Sequence, residues 1–167
     1  LLNDGLGTNI LIDTDNALFN LVLPPPRGPL VVSETHPDQS RWYSTNTAIL
    51  RWTNNNLAEG YSYVLNQEPI DIPDNISEGV RNQVTYKELP DGLHFFHVKA
   101  LRGGVWGETS HFSVKIDTSP PAKFSIEISP SAYTSNRHPI INFSTTDNFS
   151  GIDYYQLKIV SLNRPTD

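Results

Sequence analysis

Two histidines occupy positions that the sequence places side by side on consecutive β-strands. His97 and His111 both fall on the face of the Leu89–Ile116 hairpin opposite Phe96 and Phe112, and directly opposed cross-strand residues on one face lie within contact distance. Two imidazoles and a nearby carboxylate would suit Zn²⁺. The alternative is a solvated sheet face on which the two rings stack and form hydrogen bonds, and the sequence favours this alternative.

The other candidate for a metal site is an acidic turn. The oxygens of Asp147, Asn148 and Asp153 could hold one Ca²⁺ at the edge between two domains. The alternative is an Asx-type turn in which Gly151 takes a positive φ, and this reading is preferred, so no cofactor beyond the Ca²⁺ candidate is predicted. The earlier acidic run Asp13–Asn16 lacks the glycine and distal glutamate of an EF-hand loop.

Exposed aromatic side chains are the best signal for ligand binding. Trp42, Tyr43 and Trp106 are predicted at loops or strand ends, where flat rings could stack on a sugar. The alternative is that Trp42 and Trp106 cover the open ends of the core. His36 and His138 each precede a proline and are predicted turn residues.

Catalytic signatures are missing from the sequence. It contains no Gly-x-Ser-x-Gly elbow, and Arg102-Gly103-Gly104 is predicted to be a hairpin turn rather than a phosphate-binding loop. We therefore expect a protein that is not an enzyme.

Composition excludes further classes. With 12 basic and 18 acidic residues among 167, the net charge is −6, which argues against a nucleic-acid partner because such proteins carry a clustered basic face. No apolar run approaches the roughly 20 residues of a membrane-spanning helix. Cysteine is absent, which excludes disulfides and Cys-based zinc sites. Methionine is absent too, so we expect a segment of a longer polypeptide.

The elements that position these residues are predicted to be short strands. Thirteen prolines and ten glycines oppose long helices, whereas apolar and polar residues alternate with a period of two, as in half-buried strands. The predicted strands are Thr47–Thr53, Tyr61–Asn66, Asn82–Tyr86 and the two arms of Leu89–Ile116. This spacing predicts an all-β antiparallel sandwich.

Proline clusters divide the chain into blocks. We predict terminal strands of a preceding β domain at 1–23, a Pro-rich linker at 24–29, a sandwich at 30–118 and the first half of a second such domain at 119–167. The last block is predicted to hold strands at Phe124–Ile128, Ile140–Phe143 and Tyr154–Val160. A weak repeat, in which Trp52 and Phe143 are equivalent core anchors, suggests a tandem array.

The central block resembles the fibronectin type III and immunoglobulin-like modules of prokaryotic surface proteins. The residues that carry the resemblance are Trp52, Tyr61-Ser62-Tyr63, the Leu89–Ala100 stretch, Trp106-Gly107 and the junction Asp117-Thr118-x-Pro120-Pro121. In one departure, the corner tyrosine of the family falls at His94, whose imidazole could form the same hydrogen bond to the backbone. The turn Asn3–Thr8 is similar to the tail of cohesin-like modules.

The resemblance implies adhesion, spacing or carbohydrate-associated roles at a cell surface. We expect a non-enzymatic structural or adhesion segment of an extracellular protein, whose partners are neighbouring domains of the same polypeptide. Two alternatives remain: a subunit that assembles with its own copies by strand addition, and a module that binds a surface glycan.

Overall fold

The computed structural model describes residues 24–53, 57–129 and 138–158. The terminal strands predicted at 1–23 and the acidic turn Asp13–Asn16 lie outside these ranges. The described residues form nine strands and no helix, and accordingly no helix in them is long and apolar enough to cross a membrane. All paired strands are antiparallel, so the predicted all-β antiparallel fold is confirmed.

The first sheet contains three strands in the order β1-β2-β4. These strands are β1 (Val31–Ser33), β2 (Ala48–Trp52) and β4 (Gln83–Tyr86). Along β2, Ala48, Leu50 and Trp52 are buried while Arg51 is exposed, which is the alternation predicted for this strand. Arg51 extends outward to an exposed ion pair with Glu34, with 3.0 Å between the nitrogen and the carboxylate oxygen.

The second sheet is built around the longest strand. Its strands are β3 (Gly60–Asn66), β5 (Gly92–Arg102), β6 (Val105–Trp106) and β7 (Ser110–Ile116). One edge of β5 pairs with β3, and the other edge pairs first with β7 and then with the short β6. Gly103 and Gly104, both with positive φ of 58° and 72°, form the two-residue turn between β5 and β6, a conformation that glycine adopts without steric cost.

Aromatic side chains join the two sheets. The Trp52 ring of β2 lies 5.6 Å from Tyr61, 5.2 Å from Tyr63 and 5.5 Å from Phe96, measured between ring centroids. All three partners belong to the second sheet, so the sheets face each other as a sandwich. Because large aromatic rings bury much apolar area, their packing contributes strongly to the stability of the core.

The outer face of the second sheet is covered in part, so the expected solvated face is wrong for His97, although His111 is exposed and the expected hydrogen bond between the two rings is present. His97 is 0% exposed and Lys99 is 4% exposed, although both point away from the core. The segment 67–79 lies over them and supplies hydrogen-bond acceptors from Glu68 and Asn75. Strand β5 is therefore buried on both faces over much of its length.

The C-terminal part forms a separate two-stranded sheet, β8 (Glu127–Ser129) paired with β9 (Ile140–Asn142). The predicted strand Tyr154–Val160 is not present in its described part, 154–158. The rings of Phe124, Phe143 and Tyr155 nevertheless cluster, with centroids 5.0 to 6.2 Å apart. Ring packing rather than strand pairing thus connects this stretch to the small sheet.

Candidate functional site at the carboxyl-terminal joint

A dense cluster of polar hydrogen bonds lies where the sandwich meets the C-terminal segment. The carboxylate of Asp91, in the turn before β5, accepts hydrogen bonds from the Thr118 amide at 2.8 Å, the Thr118 hydroxyl at 2.8 Å and the Ser119 hydroxyl at 2.6 Å. These bonds, above all the one from Ser119, lower the pKa of Asp91. These hydrogen bonds favour the charged form of Asp91. They attach Thr118 and Ser119, which belong to a second linker at 117–121, to the sandwich.

A second carboxylate reaches further along the chain. Asp117 follows β7 directly and is buried. One of its oxygens accepts from the Ser119 amide at 3.2 Å, and the other accepts from the Ser150 amide at 2.9 Å. Hydrogen bonding from Ser150 is the main reason that the pKa of Asp117 is lowered. This carboxylate therefore connects the end of the sandwich to a turn more than thirty positions later.

That turn is the Ca²⁺ candidate. Oδ1 of Asp147 accepts hydrogen bonds from the amides of Phe149 at 3.1 Å and Gly151 at 3.2 Å, and Gly151 has a φ of 75°. The Asx-type turn with a left-handed glycine is thus confirmed. Asn148 and Asp153 are exposed. In the described ranges no group of three or more His, Cys, Asp or Glu residues is placed to hold a metal ion, and Ca²⁺ binding by Asp147, Asn148 and Asp153 stays a prediction.

Apolar contact reinforces the joint. The Trp42 ring lies 5.7 Å from Phe149, between centroids, and the Lys115 ammonium lies 6.0 Å from the Trp42 centroid. The Ala122 amide also donates to the Thr146 carbonyl at 2.9 Å. The joint therefore combines charged hydrogen bonds, backbone pairing and aromatic packing across Pro120-Pro121.

The aromatic candidates for sugar binding lie at two ends of the sandwich. Tyr43 pairs with Ile116, which is opposite Gly92 at the start of β5, whereas Trp106 is opposite Leu101 near its end. At about 3.3 Å per residue these positions are roughly 30 Å apart. Trp42 and Tyr43 are neighbours, but they do not share a platform with Trp106. A glycan site at either end stays a prediction.

Both ring nitrogens of His97 have hydrogen-bond partners. Nδ1 of His97 lies 2.6 Å from Nδ1 of His111, while Nε2 of His97 lies 3.0 Å from the Glu68 carbonyl and 3.2 Å from Oδ1 of Asn66. Burial, and then the charge of His111, lower the pKa of His97. A neutral His97 that donates a hydrogen bond from Nε2 accepts one at Nδ1 from the Nδ1–H of His111.

Two further histidines are buried, and the sequence predicted the contact of only one of them. His94 is buried, and its Nε2 lies 2.8 Å from the Pro90 carbonyl oxygen, so the imidazole makes the backbone contact expected at this corner. His36, predicted to be a turn residue, is only 1% exposed and packs edge-on against Tyr43 at 4.9 Å. Burial also lowers the pKa of His36.

The joint was not anticipated as a cluster, because its carboxylates are far apart in sequence. Turn signals mark Asp91 and Asp117 individually, and only folding brings them to one linker. Comparison with known proteins adds no further constraint: no protein-family model matches the chain, and a search of curated proteins finds no match.

Proposed function

We propose that the chain is a non-enzymatic structural spacer or adhesion segment of an extracellular or cell-surface protein. In this role the sandwich acts as a rigid unit, and the joint fixes its angle to the C-terminal segment. The observation that carries the proposal is the double attachment of the linker, through Asp91 at its start and through Asp117 to Ser150 beyond it.

The physical basis is that hydrogen bonds to the linker restrict its rotation, which a flexible connection would leave free. Pro120-Pro121 is stiff, since proline fixes φ, but stiffness alone leaves rotation at the flanking residues. Asp91 and Asp117 remove that freedom around Thr118 and Ser119. The contact between Trp42 of the sandwich and Phe149 of the C-terminal segment adds an aromatic attachment beyond the prolines. A part that transmits force or maintains spacing needs this combination, whereas a flexible tether does not.

The strand order supports the proposed kinship. A sheet of β1, β2 and β4 that faces a sheet of β3, β5, β6 and β7 is similar to the two-sheet arrangement of an immunoglobulin-like or fibronectin type III-like sandwich. Membership of that class, and with it the cell-surface location and the tandem arrangement, is part of the proposal.

The test is a distance measurement across the joint. Because the chain has no cysteine, spin labels can be attached through Thr85→Cys on β4 and Asn142→Cys on β9, both exposed positions. We expect a narrow distance distribution by pulsed electron resonance. The double variant Asp91→Ala/Asp117→Ala should broaden it, while Asp74→Ala, which removes a carboxylate elsewhere, should not.

A broad distribution of label distances in the unmodified joint would contradict the spacer proposal.

The same labelled protein tests whether Ca²⁺ binds at the candidate turn. Further narrowing on addition of Ca²⁺, lost in Asp153→Ala, would support a calcium-stabilised joint.

A second candidate, self-assembly by strand addition, is favoured by the apolar surface of the C-terminal segment. A cleft of about 230 Å³ is lined there by Phe124, Ile126, Tyr154 and Leu157 among others. The exposed fraction is 55% for Ile126, 71% for Tyr154 and 53% for Leu157. We propose that a β-segment of a second copy covers this face. Sedimentation velocity over a wide concentration range tests it, because a constant monomer mass would rule this candidate out.

A further inference from the structure

We propose that His97 and His111 form a chelating site for a divalent transition-metal ion such as Zn²⁺ or Cu²⁺. The two residues are directly opposite each other on β5 and β7. Their Nδ1 atoms are 2.6 Å apart, and the rings meet at 75° with centroids 4.9 Å apart. This site is independent of the spacer role, since it lies on the outer face of the second sheet and not at the joint.

The orientation of His97 is fixed by a chain of hydrogen bonds. Nδ2 of Asn66 donates to the Asp71 carboxylate at 2.6 Å, which leaves Oδ1 of Asn66 facing His97. The Glu68 carbonyl oxygen also faces Nε2 of His97. Both oxygens accept only, so Nε2 carries the proton and the lone pair of the neutral ring is on Nδ1.

This arrangement is the one found around metal-bound histidines. Such a ring donates its distal N–H to a carbonyl or carboxylate, which fixes the tautomer and orients the coordinating nitrogen. The lone pair of His97 on Nδ1 is aimed at His111, which is exposed. His97 is fully buried, so the ion is reached from solvent on the His111 side.

Metal binding requires a small movement of one ring. Two nitrogens at 2.0–2.1 Å from a tetrahedral ion are roughly 3.3 Å apart, so the present contact must open by about 0.7 Å. The exposed His111 ring can make this movement. Its Nδ1 proton is released to solvent and a solvent proton binds at Nε2, which leaves a neutral ring with its lone pair on Nδ1.

The donor atoms decide the class of ion. Imidazole nitrogens suit Zn²⁺, Cu²⁺ and Ni²⁺, whereas Ca²⁺ and Mg²⁺ prefer oxygen ligands. The negative charge of Asp71 acts on His97 and favours a bound cation. Since the described residues provide no group of three ligands, water completes the coordination. The site is therefore open and exchangeable rather than a closed structural one.

Calorimetric titration of the full chain with ZnCl₂, together with thermal unfolding with and without the ion, tests the inference. We expect one Zn²⁺ per chain and a rise in melting temperature, because the ion binds the folded pair. His111→Asn should abolish both effects, and its melting temperature with Zn²⁺ is compared with that of the same variant without the ion, since the variant also loses the hydrogen bond to the buried His97. His138→Asn is the control matched for histidine content and should behave as the unmodified chain.

Ca²⁺ at the same concentration should produce no rise in melting temperature. The inference is overturned if His111→Asn binds Zn²⁺ as the unmodified chain does, or if no Zn²⁺ binds at neutral pH. Imidazole resonances provide a second readout, since Zn²⁺ should shift the signals of His97 and His111 and leave that of His138 in place.

Discussion

Trp52 and Phe96 lie on opposing sheets with ring centroids 5.5 Å apart and an interplanar angle of 33°. Trp52 is 2% exposed and Phe96 is 0% exposed. On folding, each ring loses its contact with water and packs against the other. This pair thereby links the first sheet to the longest strand of the second.

Truncation of this tryptophan should be the most damaging single change in the core. We expect Trp52→Ala to reduce the free energy of unfolding by about 3–5 kcal/mol, because it removes buried area and leaves a cavity among Tyr61, Tyr63 and Phe96. Urea denaturation followed by circular dichroism measures the change. Trp106→Ala, at a partly exposed position, is the control, and an equal loss in both variants would contradict the core placement of Trp52.

A glycine beside the Pro-rich linker is a sensitive point of a different kind. A Cβ added at Gly107 would lie 2.9 Å from the carbonyl carbon of Pro26, and Pro26 accepts a hydrogen bond from the Glu108 amide at 3.0 Å. We expect Gly107→Ala to cost about 1–3 kcal/mol, since backbone must shift to relieve the overlap.

The measurement is the denaturation midpoint, with Val105→Ala as the matched control. Val105 is exposed and nearby, so its truncation should stay within about 0.5 kcal/mol. Equal midpoints for the two variants would mean that the linker does not pack against Gly107.

The segment 67–79, which covers part of the outer face of the second sheet, is attached through the buried ammonium group of Lys99. Lys99 is 4% exposed, donates to Oδ1 of Asn75 at 2.7 Å and lies 5.1 Å from the Trp106 ring centroid. We expect Asn75→Ala to cost about 1–3 kcal/mol, because it removes the acceptor of a buried charged donor.

A double-variant comparison separates this effect from loss of packing. Lys99→Met removes the charge and should make a subsequent Asn75→Ala change nearly neutral. The exposed Asn148→Ala is the control for loss of an amide. If Asn75→Ala lowers the free energy of unfolding equally with Lys99 and with Met at position 99, the contact with Lys99 does not hold the segment 67–79 in place.

The joint should loosen in acid. The pKa values of Asp91 and Asp117 are lowered in the folded protein by hydrogen bonds to their charged forms. Their contribution is therefore present above the ordinary carboxyl pKa and is lost as the pH falls through the lowered values. We expect the distribution of label distances across the joint to broaden as the pH falls below the ordinary carboxyl pKa of about 3.9. Asp91→Asn/Asp117→Asn should already be broad at neutral pH and change little, and a joint that stays narrow throughout acidification would contradict the role of the two carboxylates.

The sequence by itself determined which positions alternate between interior and surface. Period-two patterns at Ala48–Trp52 and Phe96–Ala100 identify strands and their core faces, because side chains on a strand point alternately to opposite sides. The positive φ of Gly151 was also predictable, since it follows from the local geometry of an Asx-type turn, whereas the backbone contact of His94 was expected from the resemblance of this corner to one that carries a tyrosine.

Tertiary structure alone decided what lies against the other face. Alternation marks His97 and Lys99 as outward, yet the segment 67–79 covers them, and nothing in its own sequence states where it folds back. The same holds for Asp117 and Ser150, and for Trp42 and Phe149, which are distant in the chain and meet only when the linker is fixed. Local pattern specifies the faces of a strand, whereas contacts between distant segments depend on how loops and linkers close.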